Sequence, residues 1–263
     1  MNVIVCIKQV PNTANVQVDP ETGRLKRDSA DSIINPLDEY AVEEGVRIKE
    51  RTNGKVTVIT MGPAQAESVL RVAISRGADE AVLVSDKAFC GADTLATSYT
   101  LSCAIKVIGN YDIIICGKQA SDGDTAQTGP GIAGMLDIPH VSYVKKIESV
   151  DDKSIKVERS MEDGCDLIES PIPVLLTVVK EINSPRMASL KGKMVAKKAV
   201  IKTLDAISIG VDVEKIGFKG SPTQVMKVFT PHIEICGEKF SGQAHEVASA
   251  FVKKLSNTGI LQK

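Results

Sequence analysis

Short runs rich in valine and isoleucine recur at Val3–Ile7, Val56–Met61, Ala81–Val84, Ile113–Cys116 and Val174–Val179. Apolar runs of this length predict strands buried on both faces, as in a parallel sheet. Helical spacing fills several of the gaps. After Asn35-Pro36-Leu37-Asp38, the segment Glu39–Arg51 sets Val42, Gly45, Val46 and Ile48 at helical spacing among charges, with Asp38 placed to cap that helix. Gly62-Pro63 opens a second helix with Val69, Leu70, Ala73 and Ile74 on one face, and Gly77 stops it. Asp93 caps a third, whose stripe is Leu95, Tyr99, Cys103 and Val107 and whose end is Gly109. Strands alternating with helices in this way predict an α/β fold: an open, mainly parallel, doubly wound sheet with helices on both faces. Ligands of such sheets lie beyond the carboxyl ends of the strands, here Lys8-Gln9, Met61-Gly62, Ser85-Asp86 and Gly117-Lys118.

From Pro139 the pattern changes. Val144–Val150 and Ile155–Arg159 flank Asp151-Asp152-Lys153-Ser154 and alternate weakly, which predicts a surface hairpin extending one sheet edge. Beyond Val179 the chain is polar and basic through Asn183-Ser184-Pro185-Arg186 and Leu190–Lys198, without core periodicity, so residues 183–240 are expected to be an extended arm. Ser241 is placed to cap a last helix in 241–263, where Ala244, Val247, Ala248, Phe251 and Leu255 form an apolar stripe. That stripe either grips a partner or docks on its own domain. The main domain is thus expected over residues 1–182.

A chain of 263 residues accommodates one large α/β domain and an appendage. With 3% aromatics, no tryptophan and a net charge of -1, it lacks the stacking platforms and the basic surface that nucleic-acid binding requires. The opening MNVIVCIKQV reads as a buried strand rather than a leader, and no run reaches the ~18 apolar residues of a membrane span, so a cytoplasmic location is expected. Six cysteines without CxxC and three scattered histidines argue against a metal or cluster; Cys6 and Cys116 read as buried reduced thiols.

The segment Gly117–Pro130, GKQASDGDTAQTGP, follows the strand Ile113–Cys116 and precedes a helix through Met135. Gly117 and Gly123 permit close backbone approach, and Pro130 has to lie in the first turn of that helix. A helix N-terminus fed by glycine-rich backbone binds anions, because unpaired N–H groups and the helix dipole face one point. A pyrophosphate fits there, with Asp122 and Asp124 accepting from ribose hydroxyls or from turn N–H groups. Two familiar motifs are absent. Gly129-Pro130-Gly131-Ile132-Ala133-Gly134 satisfies GxGxxG in letters only, since it begins twelve residues after Gly117 and inside a helix start, and Gly117-Lys118 is followed by Gln119 rather than Ser or Thr. No GxSxG or HExxH occurs, so no catalytic residues are expected and any chemistry falls to a cofactor.

Taken together, Lys8, Asn35-Pro36, Glu39-x-Ala41-Val42-Glu43-Glu44, Gly62-Pro63-Ala64-Gln65, Gly77-Ala78-Asp79, Gly117-Lys118-Gln119-Ala120 with Asp122-x-Asp124 and Gln127, and Val157-Glu158-Arg159 through Asp163-Gly164 to Pro173–Thr177 resemble the small, or beta, subunit of electron-transfer flavoproteins. Asp166 departs from the Glu or Gln expected there. The resemblance implies an adenine-nucleotide domain paired with a larger alpha subunit that carries a redox FAD. It implies nucleotide contacts at Cys6, Asn35, Pro36, Leu37, Asp38 and Met61, and along the loop at Gly117, Lys118, Gln119, Ala120, Ser121, Asp122, Gly123, Asp124, Thr125, Ala126, Gln127 and Thr128. It further implies a recognition loop for a lactate-type or acyl-CoA-type dehydrogenase, with Leu190 as apolar anchor beside Met194, Lys197 and Lys198, and a C-terminal helix on the alpha subunit. The loop Asp122-Gly123-Asp124-Thr125-Ala126-Gln127 looks like the bifurcating version. In that version FAD replaces structural AMP, NADH donates electrons, and ferredoxin or flavodoxin receives one of them. A non-redox adenine-nucleotide module is the alternative outside the family.

Overall fold

A computed structural model describes residues 1–12, 17–18, 25–26, 32–224, 226 and 237–259. Cys236 and His232, which entered the metal argument, lie outside the described residues. The strands in chain order are β1 (Asn2–Cys6), β2 (Gln9–Pro11), β3 (Gln17–Val18), β4 (Leu25–Lys26), β5 (Ser32–Ile34), β6 (Lys55–Met61), β7 (Glu80–Val84), β8 (Ile113–Gly117), β9 (His140–Val150), β10 (Ser154–Met161), β11 (Gly164–Pro171), β12 (Val174–Val178) and β13 (Lys202–Leu204). The α-helices are α1 (Pro36–Thr52), α2 (Glu67–Ser75), α3 (Thr94–Ile108), α4 (Thr128–Leu136), α5 (Leu190–Lys198) and α6 (Ala244–Asn257).

Nine strands form the large sheet, in the order β11-β10-β9-β12-β8-β1-β6-β7-β13. Pairs from β9 across to β13 are parallel, while β9, β10 and β11 form an antiparallel meander at one edge. The chain leaves β1 for β6 and β7 on one side, then returns to place β8 on the other. The strand order therefore reverses between β1 and β8, the switch point at which open α/β sheets carry their ligand crevice.

Alternation along β1 sorts the two cores. Val3, Val5 and Ile7 pack with α1 and α2, whereas Ile4 and Cys6 pack with α3 and α4. Each fully buried valine or isoleucine contributes roughly 1.5–3 kcal/mol, so the central strands stabilise both layers at once. The doubly wound expectation is met, with helices on both faces.

Several local readings are corrected. Helix α1 begins at Pro36, with Asn35 as N-cap, so Asp38 lies inside the first turn rather than before it. The buried face of α3 is Ala96, Leu101, Ala104 and Ile105, while Leu95 and Val107 of the expected stripe are about half exposed. Apolar residues run nearly all round α3, so periodicity does not select a face. The edge hairpin is a three-stranded meander, and 183–224 is not an extended arm: α5 packs on α2 through Ala196, and β13 returns to the sheet beside β7. The chain divides into compact units at residues 1–224 and 225–263. In the second unit α6 starts at Ala244 after Gln243, without a side-chain cap from Ser241, and none of its residues is buried.

Residues 183–186 are stapled to α1. Asn183 donates from Nδ2 to the Tyr40 carbonyl (3.0 Å) and to Glu44 (3.1 Å), and Arg186 donates from Nε to Glu43 (2.8 Å) and from both Nη atoms to Glu50 (2.5 and 3.0 Å). Burial pushes the Glu43 carboxyl up, and hydrogen bonds from Arg186 outweigh it, leaving the group below its usual range. Arg186→Ala is expected to lower stability by about 1–3 kcal/mol, because Glu43 stays buried with no guanidinium but that of Arg47 and keeps otherwise only the backbone N–H of residue 186. Urea unfolding checks this: the midpoint falls at constant slope, and Arg186→Lys recovers only part of the loss.

Candidate functional site

Helices α1, α3 and α4 all start at the carboxyl edge of the sheet, and their caps differ. The Asp93 side chain accepts from Leu95 and Ala96 N–H groups at 3.0 Å, closing the N-terminus of α3. Neither α1 nor α4 has a side-chain cap. Of these three helices, two N-termini, each equivalent to roughly half a positive charge, therefore lack a side-chain cap. Pro130 occupies the third position of α4, where no N–H is required.

Asn35 does not cap α1 because its amide holds the loop. Its Nδ2 donates to the Gln119 carbonyl (2.9 Å), and its Oδ1 accepts from the Ser121 N–H (3.0 Å). Asp38 sits below, accepting from the backbone N–H of Lys8 at 2.7 Å and from that of Gly117. Burial pushes the Asp38 carboxyl up to about 7, although hydrogen bonds from Asn35, Lys8 and Gly117 oppose the rise. Gly117 is required here: a Cβ would lie 2.3 Å from Asp38 Oδ1 and 2.8 Å from the Leu37 carbonyl carbon.

Both loop carboxylates are engaged within the protein. Lys8 Nζ donates to both Asp122 oxygens (2.7 and 2.8 Å), and Gln119 Nε2 donates to Asp124 (2.7 Å). Gly123 has nothing within 4 Å of a built Cβ, so it faces open space and does not permit a close approach within the chain. The left-handed backbone falls instead on Asp124 (φ 50°) and Ala126 (φ 54°). Gln127 accepts from Thr94 Oγ1 at 3.0 Å, and the Thr128 carbonyl accepts from Ser98 Oγ at 3.2 Å, which ties the loop to α3.

The structure thus gathers Asn35, Asp38 and Lys8 around the loop 117–128, with Pro36 and Leu37 in the first turn of α1 and Cys6 at the end of β1. Met61 ends β6, the next strand across, and is partly buried against the cluster that contains Cys6. Leu190, Met194, Lys197 and Lys198 lie on α5, packed on α2 and apart from this crevice; Leu190 is 80% and Met194 60% exposed. Sequence reasoning missed Thr94 and Tyr143. The Tyr143 N–H donates to Thr177 Oγ1 at 3.2 Å, its φ is 62°, and Lys118 Nζ stands 5.1 Å from its ring centroid. The residue adjoins a register shift in the β9–β12 pairing, which sequence alternation does not reveal.

These features define a doubly wound α/β protein whose switch point carries two helix N-termini without side-chain caps. Residues 22–208 match the model of the electron transfer flavoprotein domain, and the chain belongs to that family. It is 52% identical over 262 residues, 99% of this chain and 100% of the relative, to the electron transfer flavoprotein subunit beta of Thermoanaerobacterium thermosaccharolyticum. It is 46% identical over 263 residues, 99% of this chain and 100% of the relative, to the caffeyl-CoA reductase-Etf complex subunit CarD of Acetobacterium woodii. It is 48% identical over 237 residues, 88% of this chain and 84% of the relative, to protein FixA of Azotobacter vinelandii. Its function is that of an electron transfer flavoprotein beta subunit.

The raised Asp38 pKa sets a pH dependence. Between the ordinary value of 3.8 and about 7 the folded chain holds a proton that the unfolded chain has released, so stability falls as pH rises through that interval. Asp38→Asn removes the term. The stability difference between variant and wild type, followed by urea unfolding from pH 4 to pH 8, is expected to shift in favour of the variant by on the order of 4 kcal/mol.

Proposed function

We propose that this beta subunit holds FAD in the crevice between β1 and β8 and works in flavin-based electron bifurcation with an alpha subunit. The N-termini of α1 and α4, without side-chain caps and close to the exposed loop at Gly123, carry the reading. An anionic pyrophosphate suits two uncapped helix starts, and residues 123 and 126, being small, leave room for a ligand larger than AMP.

In this reading the N–H groups of Thr128 and Gly129 and the loop backbone bind the pyrophosphate. Asn35 fixes the loop, Lys8 offsets the charge of Asp122, and Gln119 holds Asp124 in place. Cys6, Pro36, Leu37 and Met61 line the strand ends. When bound, the flavin would supply acceptance of an electron pair from NADH and its release one electron at a time, to ferredoxin or flavodoxin and towards the alpha-subunit FAD. The chain's own residues position and shield; no side chain is assigned as acid or base.

The recognition surface is proposed to be α5, with Leu190 as the anchor for a dehydrogenase and Met194, Lys197 and Lys198 around it. The name of the A. woodii relative, a caffeyl-CoA reductase-Etf complex subunit, supports an acyl-CoA-type partner. Helix α6 is proposed to dock on the alpha subunit through its uncovered apolar stripe, and the complex to work in the cytoplasm, where NADH is available.

Nucleotide released by acid from the purified heterodimer is expected to be two FAD and no AMP; one FAD with one AMP would overturn the FAD assignment. Leu190→Ala is expected to slow electron transfer to the partner dehydrogenase about tenfold or more, the scale of a lost interface anchor. The urea midpoint should not move, since the side chain is 80% exposed. Unchanged transfer would remove α5 from the docking surface.

A further inference from the structure

Two thiols meet at the floor of the crevice. Cys6 closes β1, Cys116 is the penultimate residue of β8, and the parallel register sets them directly beside each other. Alternation turns both towards the α3 and α4 layer, where they belong to one apolar cluster. Both are free and buried. The neighbouring Cys6 thiol together with burial pushes the Cys116 thiol well above its usual range.

Neighbouring strands stand roughly 4.8 Å apart and in-register side chains project side by side, whereas an unstrained disulfide brings its Cβ atoms to about 3.8 Å. Direct oxidation would have to draw the strand ends together. A single atom placed between the sulfurs would not. Thiolate chemistry, alkylation or exchange, is disfavoured at Cys116, whose thiol is pushed well above its usual range. A reaction that bridges two sulfurs through one added atom matches the spacing of this in-register pair.

We propose that Cys6 and Cys116 form a dithiol clamp for a trivalent arsenical or a similar thiophile able to bridge two sulfurs. With a monosubstituted arsenoxide, two As–S bonds form, the As–O bond breaks, both thiol protons leave in the water released, and nothing is oxidised or reduced. Cys90 and Cys165 are exposed and Cys103 is half-buried, and among the described residues no other two cysteines are paired in register. The pairing follows from strand register and does not rest on the proposed nucleotide, although Cys6 is also one of the contacts proposed for it.

The full-length chain, folded and in its complex, is treated with phenylarsine oxide and then with iodoacetamide, and its intact mass and peptide map are read. The expected result is one arsenic per chain joining the peptides that carry Cys6 and Cys116, with Cys90 and Cys165 alkylated. Cys6→Ala and Cys116→Ala should each lose the adduct. No adduct on the folded chain, an adduct that persists in either variant, or a bridge through other cysteines would overturn the clamp. The map on unaltered protein keeps the test valid should a variant fail to fold.

Discussion

The Asp38 carboxyl lies where three elements converge: the end of β1, the end of β8 and the first turn of α1. Its oxygens accept from the backbone N–H groups of Lys8 and Gly117, which are donors that two parting strands would otherwise leave unpaired at the switch point. Burial makes this costly enough to lift the pKa to about 7, and the arrangement also excludes any side chain at Gly117. With Asp38 meeting the strand ends, Asn35 is released from capping α1 and holds the loop at Gln119 and Ser121 instead. The loop is thereby joined to the same helix start whose first turn carries the buried group.

Charge elsewhere in the main unit is arranged to hold geometry. Glu43 and Glu44 are buried because Arg47, Arg51, Asn183 and Arg186 surround them, and this fastens the chain just before α5 to the long helix α1. The start of the exposed α5 surface is therefore anchored, although Leu190 and Met194 themselves project into solvent. Asp122 and Asp124 follow the same logic in the loop, since Lys8 and Gln119 hold the two carboxylates as struts.

Legibility of the chain varied with the physics of each segment. Strands buried on both faces were plain, since only a continuous apolar run satisfies that position, and α1 and α2 were plain because one face is apolar and the rest polar. Helix α3 was misread on its face, because Ile, Leu, Ala and Val surround it almost completely. The three-residue β13 and the largely exposed α5 left no periodic signal, for a short edge strand buries too little to need one. In the site, the loop 117–128 was legible from its glycines, its proline and the strand before it. Thr94 and Tyr143 were not, because their roles arise from contacts across 33 and 34 positions of sequence.

Sequence alone determined the layers, the parallel core strands and, through its motifs, the family. Those properties depend on local periodicity and on residue types whose backbone preferences act wherever they stand. Tertiary structure decided the reversal of strand order between β1 and β8, the burial of Asp38, the pairing of Cys6 with Cys116 and the engagement of Asp122 and Asp124. Each of these is a meeting of residues distant in sequence, with an energy set by burial and partners that no local pattern encodes.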